Sequence, residues 1–73
     1  MHISKPTDVA KARKIYKEGV RVELVSMDDP YTKLKKGDKG TVIHVDDAGG
    51  VHIKWDSGSM LAALLGVDII KII

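Results

Sequence analysis

The 73-residue chain reads as a mostly β protein with a single helix in front. Three observations predict this. From Val20 onward, apolar and polar residues alternate in short runs, the period of half-buried strands. Glycine-containing turns punctuate those runs. Ahead of Gly19, by contrast, the apolar residues fall at helical spacing.

"KPTDVAKARKIYKEG" predicts a helix over residues 7–18. Thr7 or Asp8 can cap its first free amides, and Pro6 stands just before them. Gly19 sits where a left-handed terminating residue is wanted. Val9, Ala12 and Tyr16 form one narrow apolar stripe with Ile15 beside it, so the helix must dock on its own body or on a partner. "VRVELVS" (20–26) is the first strand, with Val20, Val22 and Leu24 inward. The following "MDDPYTKLKKGDKG" has no period. Asp29-Pro30 starts a turn there, and Leu34 is its one expected buried anchor.

The next two strands run over Thr41–Val45 and Val51–Trp55. Their odd positions are Thr41, Ile43, Val45, Val51, Ile53 and Trp55, all but one apolar, so the odd set is assigned to the core. Both strands can point that set inward only across an odd-length connection, because a one-residue slip turns a whole face outward. "DDAGG" supplies one, a type I turn followed by a left-handed glycine. The resulting register pairs Val45 with Val51, His44 with His52, and Ile43 with Ile53. "DSG" makes a second tight turn, pairing Trp55 with Ser59 and Ile53 with Leu61. That places a fourth strand at about Ser59–Ala63, with Leu61 and Ala63 inward. "LLGVD" reads as a single helical turn ended by Gly66, and "DIIKII" as the fifth strand. Together these elements predict a small five-stranded SH3-like barrel, closed or partly open, since closure removes exposed sheet edges. The basic N-terminal helix or arm takes residues 1–18 and the barrel residues 19–73.

A chain this short buries only about 60% of its extended-chain surface, so each core residue matters. There is no cysteine, hence no disulfide or thiolate metal site. No apolar run approaches the ~20 residues of a membrane span, and the N-terminus lacks a signal-peptide layout. The expectation is a cytoplasmic protein without membrane contact. Residues 1–21 carry six basic and two acidic side chains, and residues 22–73 six basic and eight acidic. A basic arm on a slightly acidic body can steer a partner electrostatically, or simply solvate a helix face.

In order and spacing, "RVELVSMDDPYT", "GDKGTVIHVDD", "VHIKWDSG" and "GVD" resemble a family of short bacterial and phage proteins. That family is catalogued only as a domain of unknown function and is often associated with mobile elements of Gram-positive bacteria. The resemblance spans about residues 19–70. It implies a fold and a genetic context but no activity. "G-D-x-G-T-V" followed by "W-D-x-G" also occurs in unrelated SH3-like barrels, where turn chemistry demands it.

No candidate for catalysis stands out. The glycines at 37, 40, 49, 50, 58 and 66 suit turns and bulges, because none leads from a strand into a helix carrying Lys-Ser or Lys-Thr. His44 and His52 are expected as cross-strand neighbours on the outer face beside Asp46. Two imidazoles fall short of the three or four ligands zinc wants, so no metal or cofactor is assigned, although the pair can make a proton-sensitive contact surface. Asp28, Asp29, Asp46, Asp47 and Asp56 mostly occupy turn positions. No nucleophile and base are placed together. Trp55 is inward by parity and belongs to the core.

The reading that follows is a non-enzymatic binding module, a protein–protein adaptor or inhibitor linked to a mobile element and acting on a nucleic-acid machine. Its partner face comprises Tyr31, Val42, His44, His52, Lys54 and Met60, with Ala62 also outward. The protein is expected to be a monomer or weak dimer. The alternative is direct nucleic-acid binding through Lys11, Arg13, Lys14, Lys17, Lys33, Lys35 and Lys36, with Lys39 also flanking Tyr31.

Overall fold

The computed structural model describes residues 6–27 and 33–73. One helix, α1 (Pro6–Ile15), precedes five strands: β1 (Arg21–Ser26), β2 (Lys39–Val45), β3 (Gly50–Trp55), β4 (Ala63–Leu64) and β5 (Ile69–Ile72). All pair antiparallel in one sheet of order β4-β3-β2-β1-β5. The helix begins a residue before the expected start, so Thr7 and Asp8 lie in its first turn rather than ahead of it. A negative charge at that position favours the helix dipole. Past Ile15 the backbone makes one more helical bond, Tyr16 N–H to the Ala12 carbonyl at 2.7 Å. Gly19 then turns the chain with φ +90°.

The core is built from both parts. Val9 and Ala12 of α1 are buried with Val22, Leu24, Val42, Val45, Val51, Ile53, Trp55 and Ala63 of the sheet. Leu34 joins them as the anchor of its loop. Tyr16 packs against this cluster, and Gly19 N–H bonds the Val42 carbonyl at 2.9 Å. The helix stripe therefore docks on the molecule's own sheet.

Two expectations about β2 and β3 meet different outcomes. Val45 pairs with Val51 and His44 with His52, as the odd-length turn requires. Gly49 takes the left-handed conformation at φ +90°, and Asp46 N–H bonds the Gly50 carbonyl at 2.9 Å to close the hairpin. Beyond His44 the alternation breaks. A bulge at Ile43 re-phases the strand, so Val42 pairs with Ile53, Thr41 with Lys54 and Gly40 with Trp55. Ile43 does not pair with Ile53, and Val42 faces the core at 1% exposure instead of standing outward. The physical reason lies in the residues themselves. Strict alternation would turn polar Thr41 and charged Lys39 inward. One extra residue sends both out and brings Val42 and Gly40 in.

The β3–β4 register is the one "DSG" implies: Trp55 N–H bonds the Ser59 carbonyl at 3.0 Å and Val51 pairs with Ala63. Between these points no ladder forms, and Leu61 is exposed rather than inward. Its carbonyl instead accepts the Trp55 indole N–H at 2.8 Å. β4 is thus two residues long. Nor does the sheet close into a barrel. The carbonyl of Leu64 accepts N–H bonds from Val67 and Asp68, at 3.1 and 2.9 Å, and its own N–H goes to the Asp68 carboxylate at 2.8 Å. The outer edge of β4 is consumed by the turn that follows it, leaving nothing with which to pair β5.

Candidate binding surfaces

The outer face of the sheet carries His44, His52 and Lys54 from the expected partner set. The two imidazoles stack, with ring centroids 4.3 Å apart and planes 10° from parallel. His52 Nε2 lies 2.7 Å from Asp46 Oδ2. The other Asp46 oxygen accepts N–H bonds from Ala48 at 2.9 Å and Gly50 at 2.8 Å. The Gly50 amide first, then the His52 ring, hold the Asp46 carboxyl below the usual carboxylate range, against a smaller opposing effect of burial. One carboxylate thereby fixes both the hairpin turn and the orientation of His52. On the same face Arg21 grips Asp56 with both guanidinium nitrogens, at 2.8 and 2.6 Å, and donates to Thr41 Oγ1 at 3.0 Å. This pairing, ahead of other effects, holds Asp56 below the usual range.

The rest of that partner set does not assemble. Val42 is buried, for the reason given by the bulge, and cannot touch a partner. Met60 is 58% exposed but lies beyond the turn at the far end of β3. Ala62 is half-buried. Tyr31 lies outside the described residues.

The basic set divides in two. Lys11, Lys14 and Lys17 are exposed on and just after α1, whereas Arg13 is engaged: its Nε donates to the Val45 carbonyl at 3.3 Å and its Nη2 pairs with Asp47. That ties the helix to the last residue of β2. Lys33, Lys35 and Lys36 are exposed in the loop that feeds the first residue of β2. Strand rise places the two groups toward opposite ends of β2, on the order of 20 Å apart.

A surface the sequence reading did not single out lies where the sheet fails to close. Tyr16, Val51, Ala63, Leu64, Leu65, Val67, Ile69 and Ile70 line an apolar groove between β4 and β5. It continues over Leu65 and Gly66 onto the helix, where Asp8, Lys11, Ala12 and Ile15 line it. Ile15, Leu64 and Ile69 are exposed at 52%, 41% and 56%. The signal available in sequence was "DIIKII", whose apolar residues do not alternate and so cannot all find a core. Among the described residues, no group of three or more His, Cys, Asp or Glu side chains is placed to hold a metal ion, and none of the helices is long and apolar enough to cross a membrane.

Fold and surfaces together define a small open antiparallel sheet with a helix docked on it. The chain belongs to the family described as "Domain of unknown function (DUF4314)", whose model matches residues 5–73. The match takes in the helix, beyond the 19–70 stretch that carries the resemblance in sequence. Nothing matches among curated proteins, and nothing among solved structures.

Proposed function

We propose that the protein is a non-enzymatic binding module that takes a protein partner in the bacterial cytoplasm. It acts as an adaptor or inhibitor, is carried by a mobile element, and is directed at a nucleic-acid machine of the host. The observation that supports a protein partner is the apolar groove at the open side of the sheet. Exposed aliphatic side chains gathered around one groove are the usual mark of a contact surface. The genetic context rests on the family resemblance alone. Capture from lysate of a native host, with the wild type and an Ile15→Glu/Leu64→Glu variant side by side, tests the reading. A specific partner should be retained by the wild type and by Lys54→Glu, and lost by the groove variant. Equal capture by all three, or none by the wild type, would overturn it.

Direct nucleic-acid binding is the second reading, favoured by exposed Lys11, Lys14 and Lys17. Against it stand the separation of the two basic groups and the engagement of Arg13 by Asp47. Titration of labelled single-stranded and duplex DNA and RNA at ~50 mM salt decides it, since nonspecific binders reach about 10⁻⁴–10⁻⁶ M even at physiological salt. Weak binding or none is expected. Tight binding that falls steeply with salt, and loses about two contacts' worth of slope in Lys11→Glu/Lys14→Glu, would favour nucleic acid instead.

A further inference from the structure

We propose that the protein forms a weak two-fold dimer in which β5 pairs antiparallel with β5 of a second copy, joining the two sheets edge to edge. The edge involved borders the groove between β4 and β5, which Ile69 and Ile70 also line, but the proposal is argued from backbone hydrogen-bonding direction and does not depend on the function argued above.

The first support is the direction of the backbone groups. On β1, Leu24 sends its N–H to the Asp38 carbonyl at 2.7 Å and receives Gly37 N–H at 2.8 Å, so its polar groups face the β2 side. Arg21 faces the other way and accepts Ile73 N–H at 3.1 Å. Hydrogen-bonding direction alternates along a strand, so Val22 and Leu24 offer nothing to β5. Their partners across the ladder are Ile72 and Ile70. The N–H and C=O of Ile70 and Ile72 therefore point away from β1 along the outer edge, and no described residue bonds them. Such a row of unpaired groups is a template for another strand.

The second support is that, among the described residues, this edge has little protection beyond its shortness. Ile69, Ile72 and Ile73 are 56%, 49% and 53% exposed. Natural edges are commonly blunted by charge, proline, a bulge or a covering element. β5 has one charge, Lys71, and that side chain is paired with Glu23 at 3.2 Å. The opposite edge of the sheet is closed by the turn after Leu64, so the two edges are not equivalent and chains cannot add head to tail.

A second copy is the occupant these features select. Antiparallel pairing about a two-fold axis sets identical edges against one another, so each copy supplies the free groups the other lacks. Backbone direction fixes the register. An axis at Lys71 sets Ile70 against Ile72 of the second copy on both sides, so that outward N–H groups meet outward carbonyls. An axis at Ile70 would instead set Ile72 against Asp68, whose N–H is already bonded to the Leu64 carbonyl. With the axis at Lys71 the two Lys71 side chains lie opposite each other, each paired with its own Glu23, and their like charge weakens the pairing. The area sets the strength. A strand of four or five residues is roughly 15 Å long, and its edge covers far less than the ~800 Å² per partner of a stable interface. The dimer should therefore populate only at concentrations of about 0.1–1 mM, and exchange rapidly.

Sedimentation from about 20 µM to about 1 mM, combined with amide hydrogen exchange at both limits, tests this. The average mass should rise toward that of a dimer. Exchange at Ile70 and Ile72 should slow at least several-fold at the higher concentration, while Lys71, already bonded within the sheet, should change little. Ile72→Pro removes one outward N–H and leaves the bonds of Lys71 and Ile73 to β1 in place. It should keep a cooperative melt and restore the monomer mass. A monomer mass at every concentration would overturn the proposal. So would association that leaves Ile70 and Ile72 unprotected, or a folded Ile72→Pro that associates like the parent. The exchange measurement uses the unmodified protein, so it decides the matter even if the proline variant fails to fold.

Discussion

Trp55 carries two loads at once. Its ring is 1% exposed in the centre of the core, and its indole N–H is satisfied by the Leu61 carbonyl. Trp55→Ala should cost about 3–5 kcal/mol, enough to unfold a domain of this size. A sharp, unshifted melt in that variant would remove Trp55 from the core. Gly40 is the neighbouring constraint. A Cβ there would lie 2.5 Å from Ile53 Cγ2 and 2.9 Å from the Lys54 carbonyl oxygen. Backbone cannot yield cheaply, so Gly40→Ala should lower stability by about 1–3 kcal/mol in denaturant unfolding. The inward position of Trp55 was legible from parity. The need for glycine at position 40 was not, because it arises only once the Ile43 bulge sets Gly40 against Trp55.

Among the elements, the β2–β3 hairpin was the most readable. Parity demanded a left-handed glycine in "DDAGG", and Gly49 has it. Gly49→Val should destabilise by more than about 1 kcal/mol, measured as a fall in denaturation midpoint. The bulge in β2 was hidden by an assumption of strict alternation, although Thr41 among the inward residues and Val42 among the outward ones were its trace. The helix shows a different limit. Its stripe of Val9, Ala12 and Tyr16 was plain, but whether a sheet or a partner covered it depended on tertiary placement. Val9→Asp should detach the helix at a cost of about 2–4 kcal/mol, and hydrogen exchange should then rise first in residues 6–16. Uniform destabilisation without that local signature would mean the helix and sheet unfold as one unit.

For the molecule as a whole, acid is the informative perturbation. Asp46 and Asp56 both have folded values held below the ordinary carboxylate range. A depressed folded value contributes stability that is present above the unfolded pKa, about 3.9, and is lost as pH falls through the folded value. The melting temperature should therefore hold steady with respect to these groups above about pH 5 and drop below about pH 4. Asp46→Ala should melt lower at neutral pH, having lost its bonds to the Ala48 and Gly50 amides, and should show a smaller acid drop. An unchanged drop in an Asp46→Ala/Asp56→Ala double variant would assign the effect to other groups. Open architecture was the least legible property of the sequence. Strand number and pairing follow from local pattern and turn chemistry. Closure turns on whether two distant edges have free backbone groups facing each other, and here Leu64 has already spent its own on the next turn.

The indole bond to Leu61 also makes the protein its own optical probe. The sequence holds one tryptophan, so all tryptophan emission comes from that site. Its hydrogen bond holds the segment leading into β4, which forms one wall of the apolar groove. A ligand that shifts that wall should alter the colour or intensity of the emission without any label being attached, while the absorbance of the ring stays nearly constant. Binding at the groove can thus be followed in unmodified protein at low micromolar concentration.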